Sequence, residues 1–175
     1  MAAVMEDEIQ GSDAFVSVGS NIGDKKDNCL RGIERLAASG DTQIVECSRF
    51  YKTEPVDYLD QDWFVNAVVK VKTRLDPHGL LEALLAAEAS LGRDRQSAVR
   101  FGPRIIDLDL ILYGPRRIDS GSLVLPHPRM HTRRFVLEPI CDIEPELLHP
   151  VLKKTMRQLL ADPDVGRQKL VSLGE

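Results

Sequence analysis

Ile105-Ile106-Asp107-Leu108-Asp109-Leu110-Ile111-Leu112-Tyr113 is an apolar run free of Gly and Pro, interrupted only by two carboxylates. It predicts a strand over 105–113, with Asp107 and Asp109 on one face and Ile106, Leu108, Leu110 and Leu112 on the other. Upstream, the apolar run 14–18 predicts a first strand, and Gly19-Ser20-Asn21-Ile22-Gly23-Asp24 reads as a structural turn and helix N-cap. Cys29, Leu30, Ile33, Leu36 and Ala37 keep helical spacing and predict a helix over 25–38. Alternation predicts a strand over 42–53. The acidic stretch 54–62 reads as a long loop. A further strand is expected over 63–73, with Phe64, Asn66, Val68, Lys70 and Lys72 on one face. Pro77 opens a helix expected to run to residue 91. With the 105–113 strand last, the order is β-α-β-β-α-β, the signature of the ferredoxin-like split βαβ arrangement. The expected fold is α+β: a ferredoxin-like βαββαβ core with an antiparallel sheet and helices packed on one face. The region from 117 onward adds a short strand and helical stretches near 133–141 and 152–161.

A chain of 175 residues that is 43% hydrophobic fits one domain. We expect that domain over 13–165, a disordered acidic head over 1–12 and a tail over 166–175. The head has neither a basic nor an apolar signal region, and no apolar run approaches membrane-spanning length. The 3 cysteines are widely spaced with no C-x-x-C, which fits free thiols in the cytoplasm. A net charge of −4 and 5% aromatic content argue against nucleic acid as a partner. Nothing points to a membrane, and a monomer is expected.

Two aspartates on one strand face lie roughly 6 to 7 Å apart and repel by about 3 kcal/mol at an effective dielectric near 20. A bare Asp-x-Asp is more often a solvated edge. Here Arg93, Arg95, Arg100 and Arg104 stand immediately upstream, among Gly92, Gly102 and Pro103. Guanidinium forks match phosphate oxygens, and Mg²⁺ is commonly held by one or two carboxylates plus phosphate. The combination points to a metal-bridged polyphosphate. There is no Walker A sequence and no G-x-G-x-x-G. His127, beside Arg129, Arg133 and Arg134, is a candidate for terminal phosphates, although such a histidine is more often structural. Phe64 and Asn66, one pleat apart, suit a flat heterocycle as well as they suit a core.

Taken in order, Gly19-Ser20-Asn21, Tyr51-Lys52-Thr53-Glu54-Pro55, Phe64-Val65-Asn66, Gly92-Arg93-Asp94-Arg95, the segment from Arg100-Phe101-Gly102-Pro103-Arg104 through Asp109, and Leu125-Pro126-His127-Pro128-Arg129-Met130 with Arg133 and Phe135 resemble the 6-hydroxymethyl-7,8-dihydropterin pyrophosphokinases of folate biosynthesis. The resemblance spans residues 14–160. It implies transfer of pyrophosphate from ATP to the pterin's hydroxymethyl group, giving the pterin diphosphate and AMP, with two Mg²⁺ ions. Asp107 and Asp109 would bind both metals. Arg93 and Arg95 would belong to a loop, 92–102, that closes over ATP, and with Arg104 and the aspartates would form the catalytic set. Glu88, Arg95, Arg100, Arg104, Leu110, His127 and Arg133 would meet ATP. The pterin would meet Thr53, Val56, Asn66 and Phe101 and sit between Phe64 and Phe135. Phe101 stands where the family often has tryptophan, and Asp57 where it often has glycine. A palm-like metal-dependent nucleotidyltransferase is the alternative enzyme class, since it too mounts paired aspartates on such a sheet. An RNA-binding module on the same fold would need exposed aromatics and a basic surface, which this chain lacks.

Overall fold

The computed structural model describes residues 10–96 and 101–174. Among these described residues, eight strands and four α-helices follow in the order β1 (Ser12–Ser20), α1 (Lys25–Ala37), β2 (Thr42–Cys47), β3 (Tyr51–Thr53), β4 (Phe64–Thr73), α2 (Pro77–Ser90), β5 (Asp107–Tyr113), β6 (Ile118–Ser120), β7 (Leu123–Leu125), α3 (Arg134–Ile143), α4 (Met156–Leu160) and β8 (Leu170–Ser172). Strands β5-β1-β4-β3-β8 lie side by side, with β2 also on β4, and every pairing is antiparallel.

The helix starts follow their caps. Asp24 accepts the Asp27 amide ahead of α1. Asp76 accepts the Gly79 amide ahead of α2, with Pro77 in the first turn. Helices α1 and α2 cover one sheet face, burying Val16, Val18, Val65, Val69, Leu108 and Leu110 with Cys29, Leu36, Leu80 and Leu84. Gly32 lets α1 approach β5: a Cβ there would lie 3.0 Å from the Ile106 side chain.

The second face differs from the expectation that helices back only one side. Phe15, Val68, Ile111 and Leu112 form a second core with Met130, Val136, Leu137, Ile140 and Met156, from α3, α4 and the turn before them. The opposite end of that face is left open, and the candidate site lies there.

Bulges account for most departures from simple alternation. The expected strand 42–53 is split. Cys47 pairs with Val69, but Tyr51 pairs with Asn66, so one extra residue sits on the edge between them. Ser48 bridges the break, its hydroxyl accepting the Val68 amide. A one-residue slip turns every later side chain to the other face, and an earlier slip at Val45, between Ile44 and Glu46, has already turned the strand once, so the second restores the alternation that starts at Ile44. Tyr51 and Thr53 therefore face the open end of the sheet. A third extra residue, Ile111, sits opposite Phe15 and Val16, because Val16 pairs with Leu110 and Phe15 with Leu112. Leu112 thus joins the second core instead of sharing a face with Leu108 and Leu110.

Four further expectations need correction. Gly19 and Ser20 belong to β1 and form no turn. The acidic head was expected to reach residue 12, yet Ser12 already pairs with Thr73; residues 1–9 lie outside the described residues. The 166–175 tail carries β8, which extends the sheet beyond β3. Helix α4 is shorter than 152–161, because the Thr155–Gln158 capping box fixes its start at Met156.

Candidate active site

Gly19 pairs with Asp107 on one side and with Asn66 on the other, while Ser17 pairs with Asp109. Residues opposed across a sheet share a face. Asp107, Asp109, Ser17, Asn66, Phe64 and Thr53 therefore project together into a cleft of about 730 Å³. That volume lies within the usual range for small-molecule sites, about 300–1,000 Å³. Gly19 is required by its neighbour, since a Cβ there would fall 2.4 Å from Asn66 Oδ1. Asn66 in turn donates to Thr53 Oγ1 at 2.6 Å.

The two aspartates behave differently. Arg104 Nη1 donates to Asp107 Oδ2 at 2.9 Å, and Arg93 donates to Asp107 Oδ1. Burial would raise the Asp107 carboxyl, but the Arg104 and Arg93 charges outweigh it and hold it below the ordinary range. Asp109 is half-buried without such a pair. Burial first, and the Asp107 charge second, push it up to about 7, against the opposing charges of Arg133 and Arg104. One carboxylate is thus neutralised by guanidiniums, and no hydrogen bond reaches the other among the described residues. A divalent cation fits this pair: it would replace the guanidiniums as counter-charge on Asp107 and meet the carboxylate of Asp109.

Arg93, Arg104 and Arg133 line the cleft, and each has a buried Nε with no hydrogen-bond partner among the described residues. Buried donors are normally paired. Each ring expected at the pterin site also carries a guanidinium. Arg104 lies 5.4 Å over Phe64, Arg133 5.4 Å over Phe135 and Arg129 5.3 Å over Phe101. Phe101 holds φ 61°, a left-handed conformation that a large side chain adopts only under constraint. Its carbonyl is gripped by Gln61 Nε2 at 2.9 Å.

His127 is neutral. Burial, then the charges of Arg133 and Arg129, lower it to about 4. Its Nδ1 accepts the Arg129 amide at 3.1 Å, which assigns the ring proton to Nε2 and leaves it free to donate into the cleft. Val56 is exposed at the cleft mouth.

Three expected residues stand elsewhere. Arg100 lies outside the described residues. Leu110 is buried in the first core, but it borders a shallow depression with Leu81, Leu123 and Val124, beside Asp109 and His127. Glu88 does not line the cleft. It is 1% exposed and accepts Arg93 Nη1 at 2.6 Å, Arg95 Nε at 2.8 Å and the Leu108 amide at 2.7 Å. From α2 it positions both arginines and the β5 backbone, so it acts through them.

The residues that sequence reading missed are the ones that hold loops together. Asn21 Oδ1 accepts the Arg104 amide at 2.8 Å, while its Nδ2 donates to Gln61 Oε1 at 2.9 Å and the Asp62 carbonyl at 3.2 Å. Asn21 and Gln61 thereby join the acidic loop to the arginine loop. Gln168, in the segment read as a tail, accepts the Phe135 amide at 3.1 Å and donates to the Glu54 carbonyl at 2.9 Å. No local sequence signal marks a side chain whose partners lie tens of residues away.

Comparison with known proteins agrees with this geometry. Residues 15–145 match the family model described as 7,8-dihydro-6-hydroxymethylpterin-pyrophosphokinase. A Methylorubrum extorquens 2-amino-4-hydroxy-6-hydroxymethyldihydropteridine pyrophosphokinase is 44% identical over 151 residues, covering 86% of this chain and 93% of that one. The Bacillus subtilis enzyme of the same name is 41% identical over 130 residues, covering 74% and 77%. Among solved structures, an HPPK-DHPS in complex with substrates superimposes with a TM-score of 0.70 at 14% identity, over 85% of this chain and 42% of that longer chain. The Plasmodium falciparum wild-type HPPK-DHPS with pterin and p-hydroxybenzoate gives 0.67 at 18% identity, over 87% of this chain and 43% of that one. At such identities these two speak for the fold alone. With a carboxylate pair facing guanidiniums whose Nε atoms have no partner among the described residues, across a ring-lined cleft, and with relatives at 41–44% identity, the chain belongs to the 7,8-dihydro-6-hydroxymethylpterin-pyrophosphokinase family of folate biosynthesis.

Proposed function

We propose that this cleft transfers the pyrophosphoryl group of ATP to the hydroxymethyl oxygen of 6-hydroxymethyl-7,8-dihydropterin, with the residues named above in distinct roles. The observation that carries this reading is three arginine Nε donors left without acceptors, among the described residues, around a half-buried carboxylate pair. Polyphosphate oxygens supply the missing acceptors.

Asp107 and Asp109 hold Mg²⁺, two ions as the family resemblance implies, and the bound metal supplies neutralisation of the triphosphate charge. Arg104, Arg133 and the Nε2–H of His127 grip phosphate oxygens. Arg93 and Arg95, tethered by Glu88, follow the loop that closes over the nucleotide. Leu110, beside its apolar depression, borders the base. Phe64 and Phe135 sandwich the pterin once the guanidiniums on them turn to phosphate, and Asn66, Thr53 and the backbone near Val56 meet its polar edge. In phosphoryl-type transfer the protein's work is placement and charge stabilisation, and this set of groups is suited to both. Exclusion of water by the closing loop keeps the activated group from hydrolysis.

The strand order β5-β1-β4-β3 supports a ferredoxin-like core, within one catalytic domain over 13–165 to which β8 adds an edge. In this reading the protein acts as a monomer on two small substrates, without nucleic acid or a membrane. No helix among the described residues is long and apolar enough to cross a membrane. Cys29, Cys47 and Cys141 are all free, in keeping with the reducing cytoplasm.

Incubation with ATP, Mg²⁺ and the reduced pterin alcohol is expected to release AMP in step with pterin diphosphate. Release of inorganic pyrophosphate without AMP would instead indicate nucleotidyl transfer.

A further inference from the structure

Across the mouth of the cleft, one carboxylate makes contacts that the transfer itself does not require. Asp57 Oδ1 accepts from Arg129 Nη2 at 2.5 Å, and its Oδ2 lies 3.8 Å from Arg133 Nη2. Asp57 belongs to the loop between β3 and β4. Arg129 and Arg133 flank the short turn ahead of α3, and Arg129 also covers the ring of Phe101 from the arginine loop. A single carboxylate thus ties together three segments that wall the cleft. Its two oxygens address two guanidiniums, as two oxygens of a phosphate would.

The setting is intermediate between core and surface. The side chains are 27% exposed for Asp57, 42% for Arg129 and 12% for Arg133. The pair is shielded enough to hold, yet solvated enough to open. Arg133 is otherwise stacked on Phe135, with its Nε unpartnered. At 3.8 Å its Nη2 makes no hydrogen bond to Asp57, so the carboxylate holds it by charge alone, where an arriving phosphate offers a direct bond.

We propose that Asp57 is a built-in stand-in for phosphate: it holds Arg129 and Arg133 in the ligand-free protein and is displaced when the phosphates of a nucleoside triphosphate arrive, so that it sets nucleotide affinity. The proposal rests on the reading of Arg133 as a phosphate contact. It has a definite sign. Neutralising Asp57 at constant shape removes both a competitor and a negative charge that faces the incoming polyanion, so nucleotide binds more tightly. A merely structural ion pair, once broken, loosens three segments and weakens binding.

Calorimetric titration with Mg²⁺ and α,β-methylene-ATP, without pterin, separates the two. Asp57→Asn is expected to lower the dissociation constant by about 3- to 10-fold, which is the effect of removing a facing charge of this kind at partial exposure. The gain is expected to shrink by at least half in an Arg129→Gln background. An unchanged or higher dissociation constant for Asp57→Asn overturns the proposal, as does a gain that survives intact in Arg129→Gln. Arg133→Gln, measured alone, reports on the underlying reading. Binding at least 10-fold weaker supports it, and unaltered binding sinks Arg133 as a phosphate contact whatever Asp57 does.

Discussion

Asp107 and Asp109 stand one pleat apart on β5, yet their surroundings drive them in opposite directions, one ionised between guanidiniums and the other raised to about 7. Such divergence is what burial and charge produce at sites built for cations or proton transfer. Replacing either by Asn removes an oxyanion while preserving shape. Turnover is expected to fall at least a hundredfold, about 2.7 kcal/mol of lost stabilisation, with an unchanged circular dichroism spectrum. Near-normal AMP release by both variants would contradict the role. His127 offers a pH test. Its folded value of about 4 lies below the ordinary 6.5. Below pH 6.5 the unfolded chain takes up a proton that the folded ring refuses, so stability drops as pH falls toward 4. Above 6.5 the effect vanishes. His127→Gln should therefore lose less stability than the parent between pH 7 and pH 4.5 in urea denaturation. Equal losses would mean that the ring is not held neutral.

At the scale of elements, the alternating pattern of the sequence was readable until a bulge intervened. Strand β4 runs as its residues indicate, with Phe64 and Asn66 on the cleft face and Val65, Val69 and Val71 in the core. Strands β2 and β3 keep Thr53 on the cleft face only because two slips, one at Val45 and one near Ser48, cancel, and no composition rule marks where a ladder will slip. The role of Gly19 was illegible for a related reason. Its missing side chain matters only through Asn66, forty-seven positions away in sequence but opposite it in register. Gly19→Ala is expected to expel the Asn66 amide and break its bond to Thr53. Pterin affinity should then weaken about tenfold or more, since a lost hydrogen bond and a buried unpaired amide together cost about 1.5–3 kcal/mol. Nucleotide affinity should stay unchanged. Equal loss of both ligands would show that the strand itself had shifted.

For the whole molecule, the sheet is a partition. One face is core under α1 and α2, and the other is core under α3 and α4 and cleft where those helices stop. The alternation of strands and helices through β5, apart from the split of 42–53 into β2 and β3, and the nearness of arginines to Asp107 could be read from local residues. The covering of the second face could not, because it depends on how the chain beyond residue 117 returns. That return reaches the site through Gln168, which clasps the backbone beside Phe135 and Glu54. Gln168→Ala is expected to raise the Michaelis constant for pterin about 5- to 10-fold, in line with about 1–1.5 kcal/mol for the lost bonds, and to leave the ATP dependence alone. A variant with ordinary pterin kinetics would reduce the C-terminal segment to an edge of the sheet.

The account turns on paired β5 carboxylates gathering divalent metal against arginine-held phosphate. Anomalous diffraction from a crystal grown with Mn²⁺, α,β-methylene-ATP and the reduced pterin tests this most directly. Metal peaks are expected between the Asp107 and Asp109 oxygens and the nucleotide's phosphates. A fully bound nucleotide with no metal beside either aspartate would contradict it.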